Sequence, residues 1–152
     1  KKLLDLHINV GRIENNGQPV AKNLLNLFPP GSHHRLVTHT WMEHPQFISL
    51  IRRMDMCLQV SFSETFNIVT ADAVSNNIPV VVSPQIGWVN SAFHADPTSV
   101  DSIVSHMKRA QLASKFHGQQ INKYSLDAYS EHSMILWVDY LYKHSPHPLL
   151  LE

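Results

Sequence analysis

Along this chain, apolar runs of strand length alternate with stretches whose apolar residues recur at helical spacing. Leu6-His-Ile-Asn-Val10 predicts a first strand, closed by Gly11. Residues 18–28 set Val20, Ala21, Leu24, Leu25 and Phe28 on one helical face, and Pro29-Pro30-Gly31 stops that helix. Arg35-Leu-Val-Thr-His39 predicts a second strand. Phe47, Leu50, Ile51 and Met54 then recur at i, i+3, i+4, i+7, the pattern of one buried helical face. A third strand is expected over Met56–Phe62, a helix over 64–76 that ends at Asn76-Asn77, and a fourth strand over Pro79–Ser83. The fourth is β-branched at successive positions, as a strand covered on both faces should be. A short weak strand near 93–95 follows, then a helix with Val100, Ile103, Val104 and Met107 on one stripe, and a last helix over roughly 125–143.

Strands alternating with helices over short connections imply an α/β domain: a doubly wound parallel sheet of Rossmann-like type with right-handed crossovers. No internal repeat, low-complexity tract or linker divides it. Residues 1–150 therefore read as one domain, Leu151-Glu152 as the remnant of an expression tag, and the whole as a piece of a longer protein. Ligands of such sheets bind outside the carboxyl ends of the strands. That rule selects the loops 11–18, 39–44, 61–67 and 83–90.

Composition narrows the chemistry. The 152 residues are 43% hydrophobic and 16% charged, enough apolar content for a core without disulfides. Twelve Lys and Arg balance twelve Asp and Glu, so no global positive field attracts nucleic acid. The single Cys57 excludes an internal disulfide framework and any CxxC site. The longest apolar candidate for a membrane span, Met134 to Tyr142, is too short and carries Asp139. With no signal peptide after Lys1-Lys2, a cytoplasmic location is expected. Eleven histidines stand out, yet none has His-Glu-x-x-His spacing or a cysteine or carboxylate cluster beside it, so no metal is expected.

The segment from Asp55 to Ser83 runs strand, polar turn, helix, strand. Ser61 and Ser63 are candidate N-caps, and Ser61 with Glu64 has capping-box spacing. Amides near Thr65, Phe66 and Asn67 would then point out of the helix N-terminus, a ready seat for a diphosphate. Glu64 and Asp72 are the two acids of the expected helix. Eight residues apart, they return to nearly the same side and face one cleft.

This run resembles the signature of GT-B-fold retaining glycosyltransferases, the glycosyl transferases group 1 or family 4-like enzymes. Their usual form is an aspartate opening a strand, then Ser-Glu-x-Phe-Gly, then Glu-Ala, ending Gly-x-Pro-Val-Val. Asp55, Ser61, Ser63-Glu64-Thr65-Phe66, Ala73, Pro79, Val80 and Val81 stand at the matching spacing. The likeness extends more loosely across most of the chain, as the C-terminal, donor-binding half of such an enzyme. Three positions depart from the pattern: Asp72 replaces the second glutamate, and Asn67 and Asn77 stand where glycine is usual. Asparagine best tolerates a left-handed backbone in place of glycine, which makes Asn77 at the helix C-terminus a credible substitute, whereas a side chain at Asn67 crowds the expected phosphate seat.

The resemblance implies transfer of a sugar from a nucleoside-diphosphate-sugar to an acceptor hydroxyl with retention, in polysaccharide or glycoconjugate biosynthesis. It assigns donor-sugar hydroxyls to Glu64 and ribose hydroxyls to Asp72. Arg12, Lys22 and the amides of Thr65, Phe66 and Asn67 would hold the diphosphate, stabilising its growing charge without a metal or other cofactor. Trp41 and Met42 fall where the family's loop meets the nucleotide base, where Trp41 either stacks on the base or packs at the edge, with packing favoured slightly. Ser83-Pro-Gln-Ile-Gly-Trp88 resembles the loop bordering donor sugar and acceptor. The implied partners are the nucleotide-sugar, a sugar or glycoconjugate acceptor and an N-terminal GT-B half, with peripheral membrane association of the full-length enzyme. The domain alone is expected to catalyse little. The alternative is a non-catalytic GT-B-like binding or scaffold subunit.

Overall fold

The computed structural model describes residues 3–11, 13 and 17–144. Its order is β1 (Asp5–Asn9), α1 (Gln18–Leu27), β2 (Arg35–His39), α2 (His44–Ile51), β3 (Cys57–Gln59), α3 (Ile68–Ser75), β4 (Val80–Val82), a 3₁₀ turn (Ser91–Phe93), α4 (Val100–Ser114) and α5 (Gln120–His144). The chain is thus mixed α/β. It divides into two units, Lys1–Phe47 and Ile48–Glu152. Among the described residues the strands form two sheets of two, β1–β2 and β3–β4, and both pairs are parallel.

In the first unit β1 and β2 pair in register from Asp5 opposite Arg35 to Asn9 opposite His39. Residues opposite one another share a face, so Asp5, Arg35, His7, Asn9 and His39 line one side of the pair. Leu6, Leu36 and Ile8 take the other. The Arg35 guanidinium forks onto the Asp5 carboxylate, Nε to Oδ1 at 2.8 Å, and this bond holds the Asp5 carboxyl below its ordinary range. His7 Nδ1 and His39 Nε2 lie 2.9 Å apart, with ring centroids 5.2 Å apart and planes 15° from parallel. That separation is little more than the nitrogen gap plus two ring radii. The imidazoles therefore meet end to end and join β1 to β2 through one N–H···N bond. Helix α1 starts with Pro19 in its first turn and no side-chain cap at Gly17. No described residue of this unit is fully buried.

The core lies in the second unit. Val80, Val81 and Val82 are 1%, 0% and 0% exposed, so β4 is covered on both faces as its sequence requires. Cys57–Gln59 pairs along one edge of β4. On the other edge Ala95 N donates to Val82 O at 2.7 Å, beside a single parallel bridge from Val82 to His94. The expected strand at 93–95 is reduced to that bridge. The Asn90 side chain accepts from Ala92 N and winds residues 91–93 into the 3₁₀ turn instead. Ile86, Val89, Phe93, Ala73 and Ala110 complete the packing around β4.

Helix ends explain the other departures. Helix α2 runs over 44–51, earlier than the expected 47–54 stripe. Pro45 sits in its first turn, and Arg53 N to Leu50 O and Met54 N to Ile51 O tighten its end into i→i−3 bonds. Helix α3 stops through a Schellman motif: Asn77 is left-handed at φ 59°, its amide reaches Val74 O, and Ile78 N reaches Ala73 O. Helix α4 stops the same way, with His117 left-handed at φ 56° and Gly118 N on Ala113 O at 2.8 Å. At its start Ser99 caps the Ser102 amide. Helix α5 begins at Gln120, five residues before its apolar pattern suggests.

Candidate functional site

The segment that carries the proposed chemistry leaves the carboxyl end of β3. Val60 to Phe66 form a bent loop, and helix α3 begins only at Ile68. Asn67 causes the late start. Its backbone is left-handed, φ 56° and ψ 87°, and its side-chain oxygen accepts from Thr70 N at 2.8 Å. A left-handed residue cannot continue a helix backwards, whereas the Asx oxygen satisfies an N-terminal amide. The expected helix over 64–76 is corrected to 68–75.

Two expectations fall with it. Ser61 does not cap the helix; its hydroxyl donates to Glu64 Oε1 at 3.1 Å, in the loop. Glu64 and Asp72 do not share a helix, so helical periodicity does not align them. Glu64 is half-buried and positioned by Ser61. Asp72 is half-buried one turn into α3, and its backbone carbonyl accepts from the amide and the side chain of Asn76.

Phe66 anchors the loop. Its carbonyl accepts from the Trp88 indole Nε1 at 2.6 Å, and its ring lies 5.7 Å from Trp88 and 5.4 Å from Tyr129 of α5. Sequence reasoning assigned Phe66 to a phosphate seat through its amide and missed this hold. The signal was present in Trp88, a large residue with one polar atom that needs an acceptor when buried. Thr65 is exposed beside it. At the α3 N-terminus the Thr70 amide is taken by Asn67, which leaves the amides of Ile68 and Val69 foremost. The diphosphate amides expected at Thr65, Phe66 and Asn67 therefore lie in the loop before the helix. In the 83–90 loop Pro84, Gln85 and Gly87 are exposed, Ile86, Trp88 and Val89 are buried, and Ser83 N donates to Gln59 O.

In the first unit Gly11 fixes the end of β1. A methyl on it would lie 2.3 Å from Trp41 N and 2.9 Å from the Thr40 carbonyl carbon, so Gly11 and the 40–41 loop touch backbone to backbone. Val10 N also donates to His39 O at 2.8 Å. Trp41 is 67% exposed, against the expectation that it packs at the edge, and Met42 is half-buried. Lys22 is exposed on α1. Arg12 lies outside the described residues.

Among the described residues no group of three His, Cys, Asp or Glu is arranged to hold a metal ion, and no helix is long and apolar enough to cross a membrane. Comparison with known proteins returns no matching family model, no similar curated protein and no similar solved structure.

Proposed function

We propose that this chain is the donor-binding half of a GT-B-fold retaining glycosyltransferase that moves a sugar from a nucleoside-diphosphate-sugar to an acceptor hydroxyl, in polysaccharide or glycoconjugate biosynthesis. The observation that supports it best is the β3–loop–α3–β4 unit. Its polar Ser61–Asn67 loop leaves the carboxyl end of a parallel pair, holds Glu64 by Ser61, and leads into the α3 N-terminus. The doubly wound Rossmann-like sheet belongs to the same proposal and rests on the β–α–β alternation and the parallel sense of both strand pairs.

In this reading the donor diphosphate lies at the α3 N-terminus, where charge released on the leaving phosphate meets fixed amides without a metal, and Arg12 and Lys22 are the cations that the resemblance assigns to it. Glu64 accepts hydroxyls of the donor sugar. Asp72 accepts the ribose diol, directly or through a water because its side chain is one methylene short. Exposed Trp41 offers a stacking face to the base beside Met42. The acceptor and the partner GT-B half complete the cleft, with peripheral membrane association of the whole enzyme and a cytoplasmic location.

One observation favours a second reading, a non-catalytic GT-B-like scaffold subunit: Asn67 spends its own side chain on the helix cap where a donor phosphate would bind. Titration of UDP, GDP and ADP, followed by calorimetry, separates the two. Binding by any of them, weakened tenfold to a hundredfold by Asp72→Ala and kept by Asp72→Glu, supports the enzyme. No nucleoside diphosphate bound, even with the partner half present, supports the scaffold.

A further inference from the structure

Helix α5 packs on the second unit only through its first half. Asn122 is buried and accepts from Asn90 N, Leu126 lies against the core, and Tyr129 stacks on Phe66. From Ser130 to His144 every residue except half-buried Ser133 is exposed. The packing stripe nevertheless continues: Ser133, Leu136, Trp137 and Tyr140 follow Leu126 and Tyr129 at i, i+3, i+4 and i+7 spacing. Those four residues line an open groove of about 400 Å³. Trp137 and Tyr140 stand edge to face across it, ring centroids 5.9 Å apart.

We propose that this stripe is a docking surface for a second copy of the chain, which lies antiparallel along α5 about a twofold axis between Leu136 and Trp137. Three features favour that occupant. The stripe is self-complementary under the twofold: small Ser133 falls opposite the partner's Tyr140, and Leu136 opposite the partner's Trp137, so each chain's ring fills the other's groove. The area suffices. Met134, Leu136, Trp137, Tyr140 and Leu141, on or beside the seam, are 47–64% exposed. At roughly 100 Å² each they offer about 500 Å² per chain, hence about 1,000 Å² in the pair, the lower size of a specific interface. The charges also agree. Asp139 and Lys143 neutralise each other on the flank at 2.8 Å, and the same flank of the partner brings the partner's His132, a hydrogen-bond donor, within a turn of Asp139. The seam itself carries no charge from Ser133 to Tyr140 apart from that flanking pair.

The test is sedimentation velocity on this chain from 1 to 200 µM, with four variants whose helicity is checked by circular dichroism. A monomer–dimer equilibrium in the micromolar range is expected. Trp137→Glu and Ser133→Trp, which charge or fill the groove, should raise the dissociation constant at least tenfold. His132→Asp, which sets like charges against Asp139, should raise it severalfold. Ile135→Glu, on the opposite face of the same helix, should leave it unchanged. A chain that stays monomeric at 200 µM overturns the proposal, because another partner then covers the stripe. So does association that Ile135→Glu weakens as much as Trp137→Glu, because it would be unspecific apolar clustering.

Discussion

The indole N–H of Trp88 reaches back 22 residues to donate to the carbonyl of Phe66 at 2.6 Å. Trp88→Phe keeps most of the packing and leaves that half-buried carbonyl unpaired, a loss of about 2 kcal/mol. Chemical denaturation should show the loss, and amides of the Ser61–Asn67 loop should exchange faster than those of β4. Unchanged exchange in the loop would mean that ring packing alone holds it.

Asn77 tests the left-handed helix end. Asn77→Gly relieves the φ 59° backbone at the end of α3 and should stabilise the chain by about 0.5–1 kcal/mol, while Asn77→Ala should destabilise it by about 1 kcal/mol. His117→Gly at the end of α4 should parallel Asn77→Gly, since φ there is 56°. Thermal unfolding of the three variants orders them.

Burial pushes the Cys57 thiol up to about 11. The folded value is the higher one, so this group's stabilisation is complete below pH 9 and declines as pH rises from about 9 to 11. The decline is at most about 2–3 kcal/mol. Cys57→Ala should flatten the alkaline limb of a stability–pH curve. At pH 8 iodoacetamide should modify the native thiol far more slowly than the thiol in urea.

On the acid side, Asp5 is held below its ordinary range by the Arg35 guanidinium, and Asp96 by the Thr98 hydroxyl and amide. A depressed folded value means that the stabilisation is present above the ordinary Asp range and is lost as pH falls through the folded one. Asp96 is exposed and Asp5 keeps about a third of its side chain in solvent, so the effect on global stability should be small, and for Asp5 salt-sensitive. Carboxyl carbon shifts followed by NMR should show both titrating late, and Arg35→Gln should return Asp5 alone to its ordinary range.

Gly11→Ala places a methyl 2.3 Å from Trp41 N, which backbone alone can relieve. The cost should be about 1–3 kcal/mol. Amide shifts should move at Thr40 and Trp41 and stay fixed in β3 and β4.

Strands β1, β2 and β4 were the most legible part of the sequence, whereas β3 covers only Cys57–Gln59 of the expected 56–62. β1 and β2 lie within one residue of their apolar runs, and Val80–Val82 declares itself because three adjacent valines fit only a strand covered on both sides. Helix ends were hidden, because they depend on single residues that override pattern. Ser61 and Glu64 have the spacing of a capping box and do meet, yet as side chain to side chain in a loop, because Asn67 both turns left-handed and caps Thr70. The first turn of α5 escaped for a different reason: Gln120, Asn122 and Lys123 show no apolar period, and the buried partner there is the amide of Asn122. Of the proposed site, the residue types and their place after β3 were readable. The Trp88 hold on Phe66 was signalled only by the indole's need for an acceptor, because contacts across that many residues leave no local periodicity.

The uneven spread of buried side chains sets an order of opening. Among described residues, fully buried ones occur only from Ile51 onward, and the contacts that join β1 to β2 include the Asp5–Arg35 fork, the His7–His39 bond and five-residue backbone pairing. Little apolar area resists their separation. On gentle warming, or in dilute protease, the segment before Phe47 should fray and be clipped while the valine strand stays closed, so the chain comes apart in two steps and its first third yields first.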